Sequence, residues 1–480
     1  MIRRGKSDGW LKLPHDAINS WSAMQGAELS GLRVSSDAEG EKQKGASLRV
    51  TKDGLTLADN PLIQVPRELV LSRETVEGYA RSGDGSLRDV LEAAGDFAQT
   101  SRGAVLIFLL IQATHSCPDL PHSVDDERTL LAGTSLQPAL HAKVRSLYRE
   151  FDELKSATSK IGWCQQTWWD EIDGVLTFDD WLQLDAMYRS RALEFPNIGD
   201  AMVPLVDMAN HASGNDTGAL YECSQDGAAL LLLREGRQLR SGEEVTITYG
   251  DEKGACEMLF SYGFIENGLD DARDIFLELR IPDDDPLKRP KEHVSAAAPG
   301  VRIYSRPQGV HWVSDYVWII CVNEEDGLQF KVAQTTDGGR ELQVFWKERQ
   351  LETLSELEEI LRDEQQWDLF QLRAIATIQP RVIEQLDNLL ETEPGLENQH
   401  VNVREGPAAL ARELRRLEIA LLRRATQHFE NEVRQCRLVD PLFPEVTIAD
   451  FRRWRNWVSL PLSESFSSPP EKRTTSRSKA

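Results

Sequence analysis

The chain has 480 residues, too many for one ordinary core, so two or three domains are expected. Its 40% apolar and 28% charged residues are the balance of a soluble globular protein. A formal net charge of −23 argues against a direct nucleic-acid or anionic-membrane binder, because phosphates need a basic face; it suits a soluble enzyme whose partners are basic proteins. No segment approaches the roughly 20 apolar residues that span a bilayer, and no membrane association is expected. The start, "MIRRGKSDGWLKL", lacks an apolar signal region, so secretion is not expected either. Six cysteines (Cys117, Cys164, Cys223, Cys256, Cys321, Cys436) are scattered without a CxxC or CxC pair. They read as reduced thiols inside a cell, in the cytoplasm or nucleus, with no zinc cluster or disulfide framework.

In chain order, the polar stretch from Ser35 to Ala46 reads as a loop. It leads into "SLRVTKDGLTLADNPLIQVPRELVLS", where alternating apolar positions and Asp-Gly and Asn-Pro signals predict several short strands. From about Leu87 to Leu193 the apolar spacing is helical, with Thr100 and Ser101 as caps ahead of the apolar run from Ala104 to Ile111. Trp163, Trp168, Trp169 and Trp181 fall in this block and read as core anchors between helices. Strands return at Met202 to Met208, "GALYEC", "AALLLL" and "EEVTITY", punctuated by the turns "SQDG" and "RSGE". One β module is thus split by a helical insertion.

Beyond Asp270 comes a charged, proline-bearing loop, "PDDDPLKRPKE", after which helices are expected to dominate. The clearest follows Gly406-Pro407, with an apolar stripe at Leu410, Leu414, Leu417, Leu421, Ala425, Phe429 and Val433. Arg412, Arg415, Arg416, Arg423 and Arg424 flank it with Glu413 and Glu418 interleaved, which reads as a solvated face. The tail "SESFSSPPEKRTTSRSKA" has the composition of a disordered segment.

Near the middle, "VPLVDMANHAS" runs an apolar stretch into an acid and then an Asn-His pair. Tyr249 ends the strand of "SGEEVTITYG", and Gly250 lets the chain leave sharply. A short helix, "KGACEMLF", then leads to Tyr262-Gly263-Phe264. Taken singly, Asn210, His211 and Tyr249 are ordinary turn and strand-end residues. In conjunction, D-x-x-N-H, GEE-x-x-x-x-YG and YGF are far rarer.

Here the sequence resembles the SET-domain protein methyltransferases, in the branch typified by the Rubisco large-subunit lysine methyltransferase. The resemblance runs from about Lys44 to Asn267 and more loosely through the C-terminal region. "YRSRALEF" (Tyr188 to Phe195) and "LIQVPRELVLS" (Leu62 to Ser72) look like two further family elements. It implies an α+β fold: a SET domain of several small β-sheets, split by a helical insertion, then an all-helical C-terminal substrate-binding domain. The corresponding boundaries are 1–86 and 196–269 for the SET halves, 87–195 for the insertion, 270–460 for the helical domain and 461–480 for the tail. The resemblance also implies S-adenosylmethionine as cofactor, without a metal. Gly45, Arg191, Asn210, His211 and Phe264 would bind it, Tyr249 would be catalytic, and Asp207, Tyr221 and Tyr262 would line the substrate channel. The family's G-x-G appears only as "KGASLRV", with Ser47 in the second glycine's place.

Those residue types suit methyl transfer, an in-line displacement in which the enzyme positions a neutral nucleophile against a cationic methyl group. A lysine amine, with a reference pKa of about 10.4, must first lose its proton, and a dry aromatic channel disfavours the charged form. Transfer to a lysine of a non-histone protein, such as a basic ribosomal or chromatin protein, is the leading expectation. The alternatives are transfer to a histidine, and a catalytically silent SET-fold adaptor.

Overall fold

The computed structural model describes residues 17–36, 46–83, 85–116, 130–171, 174, 176–294, 299–334, 338–397 and 405–439. Gly45 and the 461–480 tail lie outside them. The described residues divide into two compact units, those within 1–125, 138–253 and 257–264 and those within 126–137, 254–256 and 265–480.

The first unit is built from short strands because turn residues interrupt its apolar runs every few positions. Glu28–Leu29, Ile63–Val65, Ala229–Leu233 and Ala219–Cys223 form an antiparallel four-stranded sheet in that spatial order. Three two-stranded sheets join it. Leu32–Ser36 pairs antiparallel with Ala46–Val50, Ala192–Phe195 antiparallel with Gly199–Met202, and Asn210–His211 parallel with Thr246–Ile247. All turn one face to a common core that includes Val34, Leu48, Val50, Ile63, Val203, Val206, Leu231, Val245 and Ile247. On Ala46–Val50, Leu48 and Val50 enter that core, so the period of two puts Ser47 and Arg49 on the other face.

The expected strand over Met202 to Met208 is shorter than its apolar character suggests. The strand Gly199–Met202 stops there, and a single 3-10 turn, Val206–Met208, precedes Asn210. Pro204 has no N–H to give a ladder, and Leu205 sits at φ +72, which ends extended structure. Val203, Leu205 and Val206 are buried as core residues without being strand residues.

The insertion is helical, as expected. Thr100 caps the helix Ser101–Ser116, its Oγ1 accepting from Gly103 N at 2.9 Å. Trp168, Trp169 and Trp181 are buried in a second core, with Trp163 packed against it. At its edge Asp185, fully buried, accepts from Arg102 and Arg189 and pairs with Lys143 at 3.0 Å.

In the second unit the helices Trp367–Glu397 and Glu405–Val439 are the longest elements. The stripe on Glu405–Val439 is buried from Leu414 to Val433. The expected all-helical C-terminal domain is corrected here, because the unit also carries two antiparallel three-stranded meanders. They are Asp274–Glu278, Gly300–Arg306 and Gly309–Val313, then Leu328–Gln334, Arg340–Trp346 and Arg349–Leu351. Polar residues such as Arg302, Gln329 and Lys331 interrupt their apolar positions, although Val301 and Ile303 are buried.

The solvated face expected on the last helix is also corrected at two positions. Arg415 and Glu418 are buried. Arg415 donates to the carbonyls of Leu389 and Ala132, and Glu418 accepts from Ser135 N and Oγ. These loop and helix-end groups would otherwise be unsatisfied. Burial pushes the Glu418 carboxyl up to about 7, against the lowering effect of Ser135 and Arg415. A folded pKa above the usual 4.5 means its stabilising share is complete below pH 4.5 and is lost as the pH rises through about 7. Glu418→Gln is therefore expected to gain stability over the wild type between pH 5 and pH 8, on the order of 2–3 kcal/mol. Urea unfolding at both pH values measures this, and parallel pH profiles would refute it.

Candidate active site

The parallel ladder sets Asn210 opposite Thr246 and His211 opposite Ile247, joining two motifs far apart in sequence. Ala212 N donates to Ile247 O at 2.9 Å, extending the ladder by one bond. The next residues of the second strand lead directly to Tyr249. Its backbone N–H donates to His211 Nδ1 at 2.9 Å, and its hydroxyl donates to Ala209 O at 2.8 Å. Because Nδ1 accepts, the His211 proton sits on Nε2, 3.1 Å from Ser213 Oγ. His211 is thus the brace that fixes the Tyr249 backbone.

Around this brace stands an aromatic cluster. The Tyr249 ring lies 4.6 Å from Tyr262 and 5.3 Å from His211, and Phe264 lies 5.9 Å from His211. The helix Ala255–Tyr262 delivers Tyr262, and Gly263 at φ +78 turns the chain so that Phe264 rejoins the cluster. All four rings are half-buried, as the wall of an open site requires. Burial pushes the Tyr249 phenol up to about 12, so it keeps its proton at neutral pH.

Arg191 ends the helix Phe178–Arg191 and reaches Asp207, donating to its backbone oxygen at 3.2 Å and to Oδ2 at 3.4 Å. The other carboxylate oxygen, Asp207 Oδ1, is buried and lacks a hydrogen-bond partner. Burial raises the Asp207 pKa to about 6, with Arg191 opposing. Tyr221 stands on Ala219–Cys223 with its ring 4.9 Å from Phe195. Burial raises its pKa.

The structure therefore brings together Arg191 with Asp207, and Asn210 and His211 with Tyr249, Tyr262 and Phe264. Ser47 is fully buried, and its Oγ accepts from Arg49 Nε at 3.1 Å. Among the described residues no group of three or more His, Cys, Asp or Glu could hold a metal ion.

Two residues escaped the sequence reading. Lys253 donates to the Tyr262 hydroxyl at 2.9 Å, its ammonium 4.9 Å from the ring. Glu244, read there only as part of the strand "EEVTITY", accepts from Asn210 Nδ2 at 2.6 Å. Alternation held the signal, since Val245 and Ile247 enter the core and Glu244 and Thr246 must face the other way.

No family model matches the chain. The chain is 28% identical over 333 residues to SET domain-containing protein 8 of Schizosaccharomyces pombe, covering 65% of this chain and 73% of that one. It is 22% identical to the actin-histidine N-methyltransferase of Canis lupus familiaris, covering 64% of this chain but only 53% of that protein. Among solved structures, the SET domain of LSMT bound to lysine and AdoHcy matches with a TM-score of 0.59 and 18% identity, over 92% of this chain and 98% of that chain. The fold is the SET fold. In sequence the chain is similar to SET-domain proteins and protein methyltransferases, and in fold to the SET domain of LSMT.

His211→Leu keeps side-chain bulk and removes the acceptor for Tyr249 N–H. It is expected to cost about 1–3 kcal/mol, the penalty of an unpaired backbone donor. A thermal or urea midpoint equal to wild type would show that Tyr249 is held by other means.

Proposed function

We propose that this protein transfers a methyl group from S-adenosylmethionine to a lysine side chain of a protein substrate. The observation that carries the reading is the ladder-joined set of Asn210, His211 and Tyr249 inside the ring cluster of Tyr262 and Phe264. The residues present fit the cofactor. Buried Asp207, with an oxygen lacking a partner, favours a cation nearby. Arg191 suits a carboxylate, and the rings of His211 and Phe264 offer flat apolar faces to a purine. The bound cofactor supplies an activated methyl group.

The chain's own groups do the rest. Tyr249 is no base, since its phenol stays protonated. Its hydroxyl, tied to Ala209 O, offers oxygen lone pairs at a fixed place and can orient a methyl group through weak C–H···O contacts. Tyr249 and Tyr262 form a wall against which an ammonium is poorly solvated, so an entering amine is favoured in its neutral, nucleophilic form.

The solved neighbour with lysine in its site supports lysine as acceptor, and the actin-histidine relative supports histidine as the second reading. The net charge of −23 supports a basic protein as substrate. Free thiols at Cys164, Cys223, Cys256 and Cys321 support a place inside the cell.

Calorimetry with S-adenosylmethionine tests the reading first, and no detectable binding sinks it in favour of a silent adaptor. Given binding, Tyr249→Phe is expected to lower transfer about 100-fold or more while the cofactor Kd stays within about 3-fold, the pattern of an interaction made in the transition state. Labelling a cell extract and locating the modified residue by mass spectrometry decides between lysine and histidine.

A further inference from the structure

Asn210 belongs to the set that carries the proposed function, and its side chain already has a partner. Its Nδ2 donates to Glu244 Oε1 at 2.6 Å. A carboxylate only accepts, so the orientation of the Asn210 amide is fixed by chemistry. The NH2 end must face Glu244, which leaves the carbonyl oxygen Oδ1 as the end available to a ligand.

Glu244 is itself held. Its Oε2 lies 3.8 Å from Arg49 Nη2, and an isolated antiparallel bridge sets Arg49 directly opposite Glu244. Arg49 is anchored in turn, donating to Ser47 Oγ at 3.1 Å and to Gly242 O at 3.4 Å. Flanking backbone bonds fix both strands, Val245 N to Leu48 O at 2.9 Å and Val50 N to Glu243 O at 3.0 Å. The result is a chain of polar contacts from Ser47 through Arg49 and Glu244 to Asn210, on the face of the strands that the core leaves free. Ser47, which stands where the family has glycine, supplies its first acceptor.

We propose that Glu244 is a positioning residue that, braced by Arg49 and Ser47, locks the Asn210 amide with its oxygen toward the cofactor and so makes the site specific for a ligand bearing an α-ammonium group. The ammonium of the cofactor's amino-acid part is a pure donor, and only an oxygen-out amide accepts from it. An amide released from Glu244 would have to be turned oxygen-out and ordered again each time the ligand binds. This inference rests on the cofactor reading above.

Two nucleoside ligands separate it from that reading. S-adenosylhomocysteine carries the α-ammonium; methylthioadenosine has the same nucleoside and thioether without the amino acid. In Glu244→Ala the Kd for S-adenosylhomocysteine is expected to rise about 10-fold, while that for methylthioadenosine stays within about 2-fold. A purely structural role for Glu244 would weaken both ligands together. Glu244→Gln, near-isosteric and neutral, guards against misfolding of the alanine variant. Its amide can meet Asn210 with either end, so the same selectivity is expected at about 3-fold. Equal losses for both ligands, or no loss in either variant, overturn the proposal. A wild-type protein that binds neither ligand overturns the cofactor reading itself.

Discussion

The site depends on two residue pairs in parallel register, Asn210 with Thr246 and Ile247 with His211. A parallel pair needs a long connection, and here the connecting chain forms two strands of the four-stranded sheet. The ladder is short but cannot slip. Ile247 and Val245 are fixed in the core, and a shift of one residue would turn them outward and bring Glu244 and Thr246 in. Register, and with it the placement of Tyr249 against His211, is therefore set by burial of apolar residues on the far face.

The aromatic wall has its own support in the helical insertion. Buried Asp185 gathers Arg102, Lys143 and Arg189, and their charges hold its carboxyl below the usual range against the opposing effect of burial. Arg189 also donates to Phe260 O, and its guanidinium lies 4.5 Å from the Phe260 ring. Phe260 stands two residues before Tyr262. One buried carboxylate thus ties the helix that ends at Arg191 to the helix that presents Tyr262. A buried charge left without its partners would be costly, so the contacts specify geometry more than they add stability.

Much of this was legible in the sequence. The split β module, the helical insertion with its buried tryptophans, the Thr100 cap and the stripe from Leu414 to Val433 all follow from periods of two and 3.6 and from turn chemistry. The strand expected up to Met208 and the two unread meanders show the limit of apolar content as a guide. Val203 to Val206 are apolar because they fill a core, and Gly300–Arg306 is a strand although half its residues face water. In both places hydrophobicity reports burial, and backbone pairing decides the element.

The sequence alone determined which motifs carry the resemblance: the Asn-His pair, the strand-end tyrosine and the YGF element are each continuous in the chain. Only the tertiary structure decided what those residues touch. Asn210 meets Glu244 across 34 positions, and Ser135 meets Glu418 across 283. Local spacing shows which face of an element a side chain takes; it does not show what stands on that face. Partners at such separations are set by strand register and by the packing of the core. For that reason Glu244 and Glu418 look like ordinary surface acids in the sequence and are bound groups in the fold.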